Sequence, residues 1–143
     1  MFITDKPIKV EAFLTEAPGK ACGAVASFVG VVRNHDHGRP VRKLYYECYA
    51  SMANKQIQSI IDQARNNWPV EDVRVLHRVG WLEVGEAAVI ITVSSAHREE
   101  AFSTCRYVIE EIKTKVPIWK KEVFQDGTSE WVLCGHPHEE VSV

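Results

Sequence analysis

Apolar and polar residues follow two different spacings along this chain of 143 residues. Six short stretches are rich in apolar, β-branched and aromatic residues, which is typical of strands. Two longer segments instead repeat their apolar residues every three or four positions, as one face of a helix does. The predicted strands are 23–33, 43–49, 73–79, 87–94, 118–124 and 130–134, while 8–14 fits a strand or a short helix.

The two helical segments have recognisable ends. Ser51 is predicted to cap a helix that runs to Asn67, and Ser95 to cap a helix from Ala96 to Lys115. Trp68-Pro69 and Val116-Pro117 end them, because a residue that precedes proline disfavours α geometry. Segments 34–40 and 81–84 are predicted to be connections, and 125–128 a turn.

Helices separated by pairs of strands predict an α+β fold with a mixed or mostly antiparallel sheet and two main helices. Strand 23–33 is apolar on both sides, which predicts a strand covered on both faces, with a bulge or close approach at Gly30. Strand 87–94 is the most apolar and is expected at the centre. We expect one domain over 1–143, with a flexible or partner-bound tail at about 135–143.

Charge and composition exclude some functions. A net charge of −2 argues against a general nucleic-acid binder, which usually carries a strongly basic face. No apolar run approaches the roughly 18 residues of a membrane span, and the first ten residues lack the layout of a secretory signal, so we expect a cytoplasmic location. The four cysteines form no CxxC pair, and we expect them to be reduced and mostly buried.

The segment 112–122, IKTKVPIWKKE, concentrates basic residues in a slightly acidic chain. Lys113 stands near a helix end, where the helix dipole favours a cation. Lys120 shares a strand face with Ile118, so burial could lower its pKa and suit it to proton donation. The alternative is a lysine whose stem lies along Trp119 while its ammonium stays in water.

Two further basic features stand where anions bind. His97 and Arg98 open the second helix, where the dipole disfavours cations and exposed amides favour a phosphate-sized anion. Arg33 stands where a strand meets a loop. Each taken alone also fits a solvated or ion-paired side chain.

The histidines are weak candidates for a metal site. The pairs His35/His37 and His136/His138 lie in a loop and in the tail, without a third or fourth ligand on a rigid frame. His77, within a strand, is predicted to be a core or interface residue rather than a ligand. We therefore expect no metal and no cofactor.

Several segments together resemble a known family. These are GAVASFVGVVRNH (23–35), ARNNWP (64–69), VLHRVG (75–80), VSSAHRE (93–99) and IKTKVPIWKKE (112–122), in this order at compatible spacings. They resemble the large, catalytic subunit of molybdopterin synthase, over most of the chain from about Gly23 to Val132.

The resemblance implies an α/β-hammerhead type fold and a homodimer within a heterotetramer. It implies a small ubiquitin-like sulfur carrier as partner, whose C-terminal Gly-Gly thiocarboxylate gives sulfur to cyclic pyranopterin monophosphate (precursor Z). Carried over by motif, Lys113 and Lys120 are expected to be catalytic. The residues expected to bind substrate are Arg33, His97, Arg98, Lys121 and Glu122.

Two other functions remain open from the residues alone. The first is a non-enzymatic binding module, in which basic residues around Trp119 bind a ubiquitin-like partner or RNA. The second is a metal hydrolase that uses the histidine pairs.

The chain departs from the family in one respect. Some members place a basic residue just after the final strand, and this chain lacks it, which leaves the contribution of the C-terminal tail open.

Overall fold

The computed structural model describes residues 1–16 and 19–134. Its nine strands are β1 (Ile3–Thr4), β2 (Ala24–Val31), β3 (His35–Asp36), β4 (Arg39–Cys48), β5 (Asp72–Arg78), β6 (Gly80–Glu83), β7 (Ala87–Ser95), β8 (Ile118–Phe124) and β9 (Ser129–Leu133). Its three helices are α1 (Val10–Thr15), α2 (Ala50–Asn67) and α3 (Arg98–Lys115). The α+β class, with two main helices and mixed sheets, is confirmed. Segment 8–14, for which a strand and a short helix were both open, overlaps the short helix α1.

The first sheet has the order β1-β5-β7-β2. β1 pairs parallel with β5, and the other neighbours are antiparallel. β7 lies at the centre, and every residue from Ala88 to Ser95 is buried, as its apolar sequence predicts.

β2 is an edge strand of this sheet. The prediction that it is covered on both faces is wrong for the described chain, because alternate side chains along one face are exposed. Val25 is 46% exposed and Val31 is 55% exposed. The pairing with β7 shifts register between Gly30 and Val31, which confirms the predicted bulge. A Cβ on Gly30 would lie 2.8 Å from Cγ1 of Val89, so the close approach is present as well.

The second sheet runs β3-β4-β8-β9, with β6 also paired to β4. Two of its strands lie where connections were predicted. Segment 81–84 forms most of β6, and 34–40 forms a tight hairpin in which His37 (φ 50°) and Gly38 (φ 78°) make the turn between β3 and β4. Two consecutive positive φ values are the geometry of a two-residue hairpin turn.

The helices pack against the first sheet and build the larger core. α2 contributes Ala53, Ile57, Ile60, Ile61 and Ala64, and α3 contributes Ala101, Cys105, Val108 and Ile112. A smaller core, with Leu82 and Phe124 fully buried, lies where β4, β6 and β8 approach β7. None of the helices in the described residues is long and apolar enough to cross a membrane.

Both predicted serine caps are wrong. α2 begins at Ala50 with Tyr49 as its cap residue. α3 begins at Arg98 with His97 as its cap residue, and Ser95 ends β7 with its hydroxyl donating to the His97 carbonyl. The C-terminal ends are as predicted, because Trp68 and Val116 are both extended before their prolines.

The cysteines form no disulfide among the described residues. Cys105 and Cys134 are buried, and Cys22 and Cys48 are partly buried. The tail predicted at 135–143 lies outside the described residues.

Candidate active site

An open cleft of about 340 Å³ lies where the end of β2 meets the inner face of the second sheet and the end of α3. β2 and the residues after it form one wall, and β4 and β8 form the other. Lys113 closes one end from α3. The lining residues are Phe28, Val29, Gly30, Val31, Val32, Arg33, His35, Asp36, Val41, Leu44, Tyr46, Lys113, Lys120 and Glu122.

The fold brings four of the seven predicted site residues into this cleft: Arg33, Lys113, Lys120 and Glu122. Lys120 and Glu122 point to the same side of β8, because side chains two apart on a strand share a face. Their partners on β4 are Tyr46 and Leu44. Glu122 is only 1% exposed, so a carboxyl group lies at the base of a basic cleft.

Pro117 makes the meeting of the two lysines possible. Val116 is extended (φ −90°, ψ 117°), which ends α3 and turns the chain directly into β8. The last turn of a helix and the first half of a strand are thereby placed side by side. Lys113 and Lys120, seven residues apart, lie in one cleft for this reason.

The cations influence one another. Burial lowers the pKa of Lys113 below the ordinary value for lysine. The nearby Cys134 thiol opposes that shift, while the charges of Lys120 and Arg33 lower the pKa further. The Lys113 side chain is exposed to the open cleft, yet protein atoms surround it closely enough to weaken its hydration. Such an ammonium gives up its proton more readily than a surface lysine.

Two buried groups that the sequence did not single out lie beside these lysines. Burial raises the pKa of the Cys134 thiol, and Lys120 and Lys113 partly offset the increase. Burial also raises the pKa of Tyr46, with smaller contributions from the charges of Cys134 and Glu122. Both groups are therefore protonated near neutral pH. Nothing in the spacing of Tyr46 or Cys134 could have indicated this, because the two residues acquire these surroundings only when the sheets pair.

Arg33 is held by the hairpin that follows it. Its guanidinium lies 3.4 Å from the carboxylate of Asp36, which is 7% exposed. The Arg33 side chain is itself 63% exposed. The turn at His37 and Gly38 folds Asp36 back under Arg33, so one edge of the guanidinium is fixed and the rest faces the cleft. Asp36 is a third residue that the sequence did not assign to the site.

His97 and Arg98 do not line this cleft. They begin α3, whereas Lys113 lies in its last turn. Fifteen residues separate Arg98 from Lys113, which corresponds to about 22 Å along a helix axis. His97 and Arg98 lie instead beside the start of β2, where the Gly23 amide donates to the Ser95 carbonyl at 3.0 Å.

The basic segment 112–122 does not form one surface. Lys121 points to the opposite side of β8 from Lys120, toward the partner residue Trp131 on β9. Lys115 forms an ion pair with Glu111 at 2.6 Å. Only Lys113 and Lys120 of its four lysines line the cleft. This division is unfavourable for the basic binding module that the sequence left open.

In the described part of the chain, no group of three or more His, Cys, Asp or Glu side chains is placed to hold a metal ion. His35 and His37 flank the buried Asp36 in the hairpin, and His136 and His138 lie outside the described residues. His77 is 6% exposed within β5, as expected of a core residue.

The fold and the cleft together define the class of protein: an α+β domain with an open cleft lined by an arginine and two lysines. The chain belongs to the MoaE protein family, whose match covers residues 3–115.

Named relatives cover nearly the whole chain. A molybdopterin synthase catalytic subunit from Thermoplasma volcanium is 42% identical, over 90% of this chain and 94% of its own length. The relative of the same name from Nostoc is 42% identical, over 93% and 81% respectively. The crystal structure of molybdopterin synthase from Staphylococcus aureus superposes with a TM-score of 0.84 at 39% identity, covering 91% of this chain and 94% of that one.

Proposed function

We propose that this chain is the catalytic subunit of a molybdopterin synthase. It transfers sulfur from the C-terminal thiocarboxylate of a small ubiquitin-like carrier to cyclic pyranopterin monophosphate, and two transfers build the dithiolene of molybdopterin. The observation that carries the proposal is the meeting of Arg33, Lys113 and Lys120 in one cleft of a MoaE protein.

The reaction brings two anions together, since the pterin carries a cyclic phosphate and the carrier ends in a thiocarboxylate. Positive groups fixed before the reaction offset that repulsion without reorganising. Arg33, exposed on one side and anchored by Asp36 on the other, suits the phosphate, which a guanidinium can bind through two hydrogen bonds. Glu122 moderates the charge of the lysines beside it.

Lys113 and Lys120 are assigned to the reacting centre. One holds the carbonyl oxygen of the thiocarboxylate, and the other protonates the oxygen that leaves the pterin. Lys113 suits the second role, because its lowered pKa makes proton donation easier. Lys121 lies on the other face of β8, and its predicted part in substrate binding depends on a partner that reaches that face.

His97 and Arg98 are proposed to act in the cleft of a second copy. The free edge of β2 is apolar, with Val25, Phe28 and Val31 exposed, and Phe102 of α3 beside it is 66% exposed. Exposed apolar strand edges of this kind are normally covered. A second copy related by a two-fold axis would cover this one.

The same pairing would complete the site. Two copies of an edge strand related by a two-fold axis run antiparallel, so the start of one lies beside the end of the other. His97 and Arg98 lie beside the start of β2, and Arg33 follows its end. Each cleft would then receive His97 and Arg98 from the other copy. With one carrier bound to each large subunit, the assembly would be the expected heterotetramer. The cytoplasmic location of the protein stays a prediction.

The function is tested by reconstitution. The purified chain is incubated with precursor Z and a carrier whose C-terminus is a thiocarboxylate, and the pterin products are identified by mass spectrometry. We expect the dithiolene product, and none with the same carrier ending in an ordinary carboxylate. A thiocarboxylated carrier that binds stably but yields no dithiolene would contradict the proposal.

A further inference from the structure

A small enclosed chamber lies behind the cleft, beneath the end of α3. Its walls are mostly apolar, and three groups in it can form hydrogen bonds. The lining residues are His77, Val89, Ile109, Ile112, Lys113, Val116, Ile118 and Cys134. The chamber has a volume of about 10 Å³, counted as the space that the centre of a water molecule can occupy. This is near the minimum that one buried water needs.

The orientation of His77 is fixed on two sides. Its Nδ1 lies 2.8 Å from the carbonyl oxygen of Arg78. A carbonyl only accepts, so Nδ1 carries the hydrogen and Nε2 offers a lone pair. The ring of Tyr46 lies edge-on to the imidazole, with 5.3 Å between ring centres. In the described part of the chain, no protein group forms a hydrogen bond with Nε2.

The imidazole is uncharged at neutral pH. Burial lowers the pKa of His77 to about 4, against the opposing effect of the Arg78 carbonyl and with a further decrease from the Lys113 charge. A neutral ring with Nδ1 protonated can only accept at Nε2. An acceptor therefore lies in the same chamber as a lysine ammonium, which can only donate.

Simple core packing does not account for this arrangement. A leucine would fill the position without placing a polar nitrogen among five apolar walls, and no hydrogen bond from a described protein group offsets the cost of removing Nε2 from bulk water. One water in the chamber removes that cost. It can donate to Nε2 of His77 and accept from Nζ of Lys113, with the Cys134 thiol as a weaker third neighbour.

We propose that His77 is a positioning residue for Lys113 and acts through this water, which connects Nε2 to Nζ and holds the ammonium at the mouth of the cleft. The inference rests on the proposed function for the catalytic importance of Lys113. The hydrogen-bonded contact itself can be tested separately.

Two substitutions distinguish positioning from packing. In His77→Gln the side-chain oxygen can take the place of Nε2, whereas His77→Leu keeps the volume and removes the acceptor. We expect His77→Leu to lower kcat about tenfold with KM for precursor Z changed less than twofold, and His77→Gln to recover most of that loss. Thr104→Val, which also replaces a fully buried polar group in the core, is the control and should leave kcat unchanged.

A second measurement does not depend on turnover, and it can be made without the leucine variant. The Lys113 Cε resonance is titrated by NMR in the wild-type and His77→Gln proteins, and a crystal structure locates the water. We expect a water within 3.2 Å of both nitrogens, and a Lys113 pKa that differs between the two proteins by less than half a unit. If His77→Leu does fold, its Lys113 should lose protons at lower pH than the wild type.

An empty chamber, or a water that does not contact Nε2, would overturn the inference. So would equal losses of kcat in the Gln and Leu variants. If Lys113→Ala keeps wild-type turnover, the proposed function fails instead, and the water and the titration still decide the question of His77.

Discussion

The two ends of α3 both carry basic residues, but they stand in different physical situations. Lys113 lies at the C-terminal end, where the helix dipole favours a cation, and it lines the cleft of its own chain. His97 and Arg98 lie at the N-terminal end, where the dipole disfavours cations, and they do not line that cleft. In the proposed two-fold pairing, an anion held in the cleft of the second copy would offset the unfavourable position of His97 and Arg98.

The largest expected effect is at the C-terminal end. Lys113→Ala and Lys120→Ala should each lower kcat by about 10²–10⁴-fold, the usual contribution of a positioned proton donor. Lys115→Ala is the matched control, because Lys115 belongs to the same segment but pairs with Glu111 outside the cleft. Turnover is measured with thiocarboxylated carrier and precursor Z. Equal activity in all three variants would remove the distinction between the lysines.

The next effect tests the N-terminal end. Arg98→Ala should lower kcat/KM by about 10–100-fold, the expected loss for charged hydrogen bonds to a phosphate. If Arg98 acts in the other copy, unfolding and refolding Arg98→Ala together with Lys113→Ala should restore activity. Half the dimers are then mixed and each has one intact site, so about a quarter of wild-type activity returns.

The mixing experiment distinguishes an Arg98 that acts in the cleft of its own chain from one that acts in the cleft of the other copy. If Arg98 served its own chain, every site in a mixed dimer would lack either Arg98 or Lys113. Activity would then stay at the level of the separate variants. Lys120→Ala mixed with Lys113→Ala is the control, because both lysines lie in the same cleft of one chain. Each mixed dimer then contains no intact site, and no activity should return.

A smaller effect concerns how the N-terminal end is placed. A Cβ on Gly23 would lie 2.5 Å from the backbone oxygen of Ala96, next to His97. Gly23→Ala should therefore cost about 1–3 kcal/mol in the free energy of unfolding, because backbone must move. Gly19→Ala, whose Cβ would come no closer than 3.6 Å to Glu71, is the control. Denaturant unfolding measures both, and equal midpoints would show that the contact is relaxed without strain.

The smallest effect is a gain in stability at the C-terminal end. Since the pKa of Lys113 is lowered in the folded state, the unfolded chain binds more protons between that pKa and the ordinary value of 10.5. Below this pH window Lys113 is charged in the folded protein, and the poorly hydrated charge lowers the free energy of unfolding. As pH rises through the window, Lys113 loses its proton and this destabilisation disappears. Lys113→Met should therefore raise Tm slightly at pH 7, with the difference shrinking above pH 10. A lower Tm for Lys113→Met at pH 7 would contradict the shift.

Local sequence determined much of this protein. The spacing of apolar residues gave the two long helices and most strands, and Pro69 and Pro117 gave the helix ends, because these depend on each residue and its near neighbours. The serine caps were wrong, although Ser51 and Ser95 are good caps in isolation. Pairing of β7 extends to Ser95 and moves the start of α3 to Arg98, whereas β4 ends at Cys48 and α2 begins already at Ala50. The lysine segment was also recognised as unusual from its sequence.

Only the tertiary structure decided which of those basic residues meet. Strand pairing turned Lys120 inward and Lys121 outward, a one-residue difference that composition does not distinguish. The hairpin placed Asp36 beneath Arg33, and burial gave His77, Tyr46 and Cys134 their altered pKa values. The length of α3 separated His97 and Arg98 from their own cleft. Residues far apart in the chain acquire common surroundings only when the sheets pair, so the site depends on long-range contacts that local sequence does not encode.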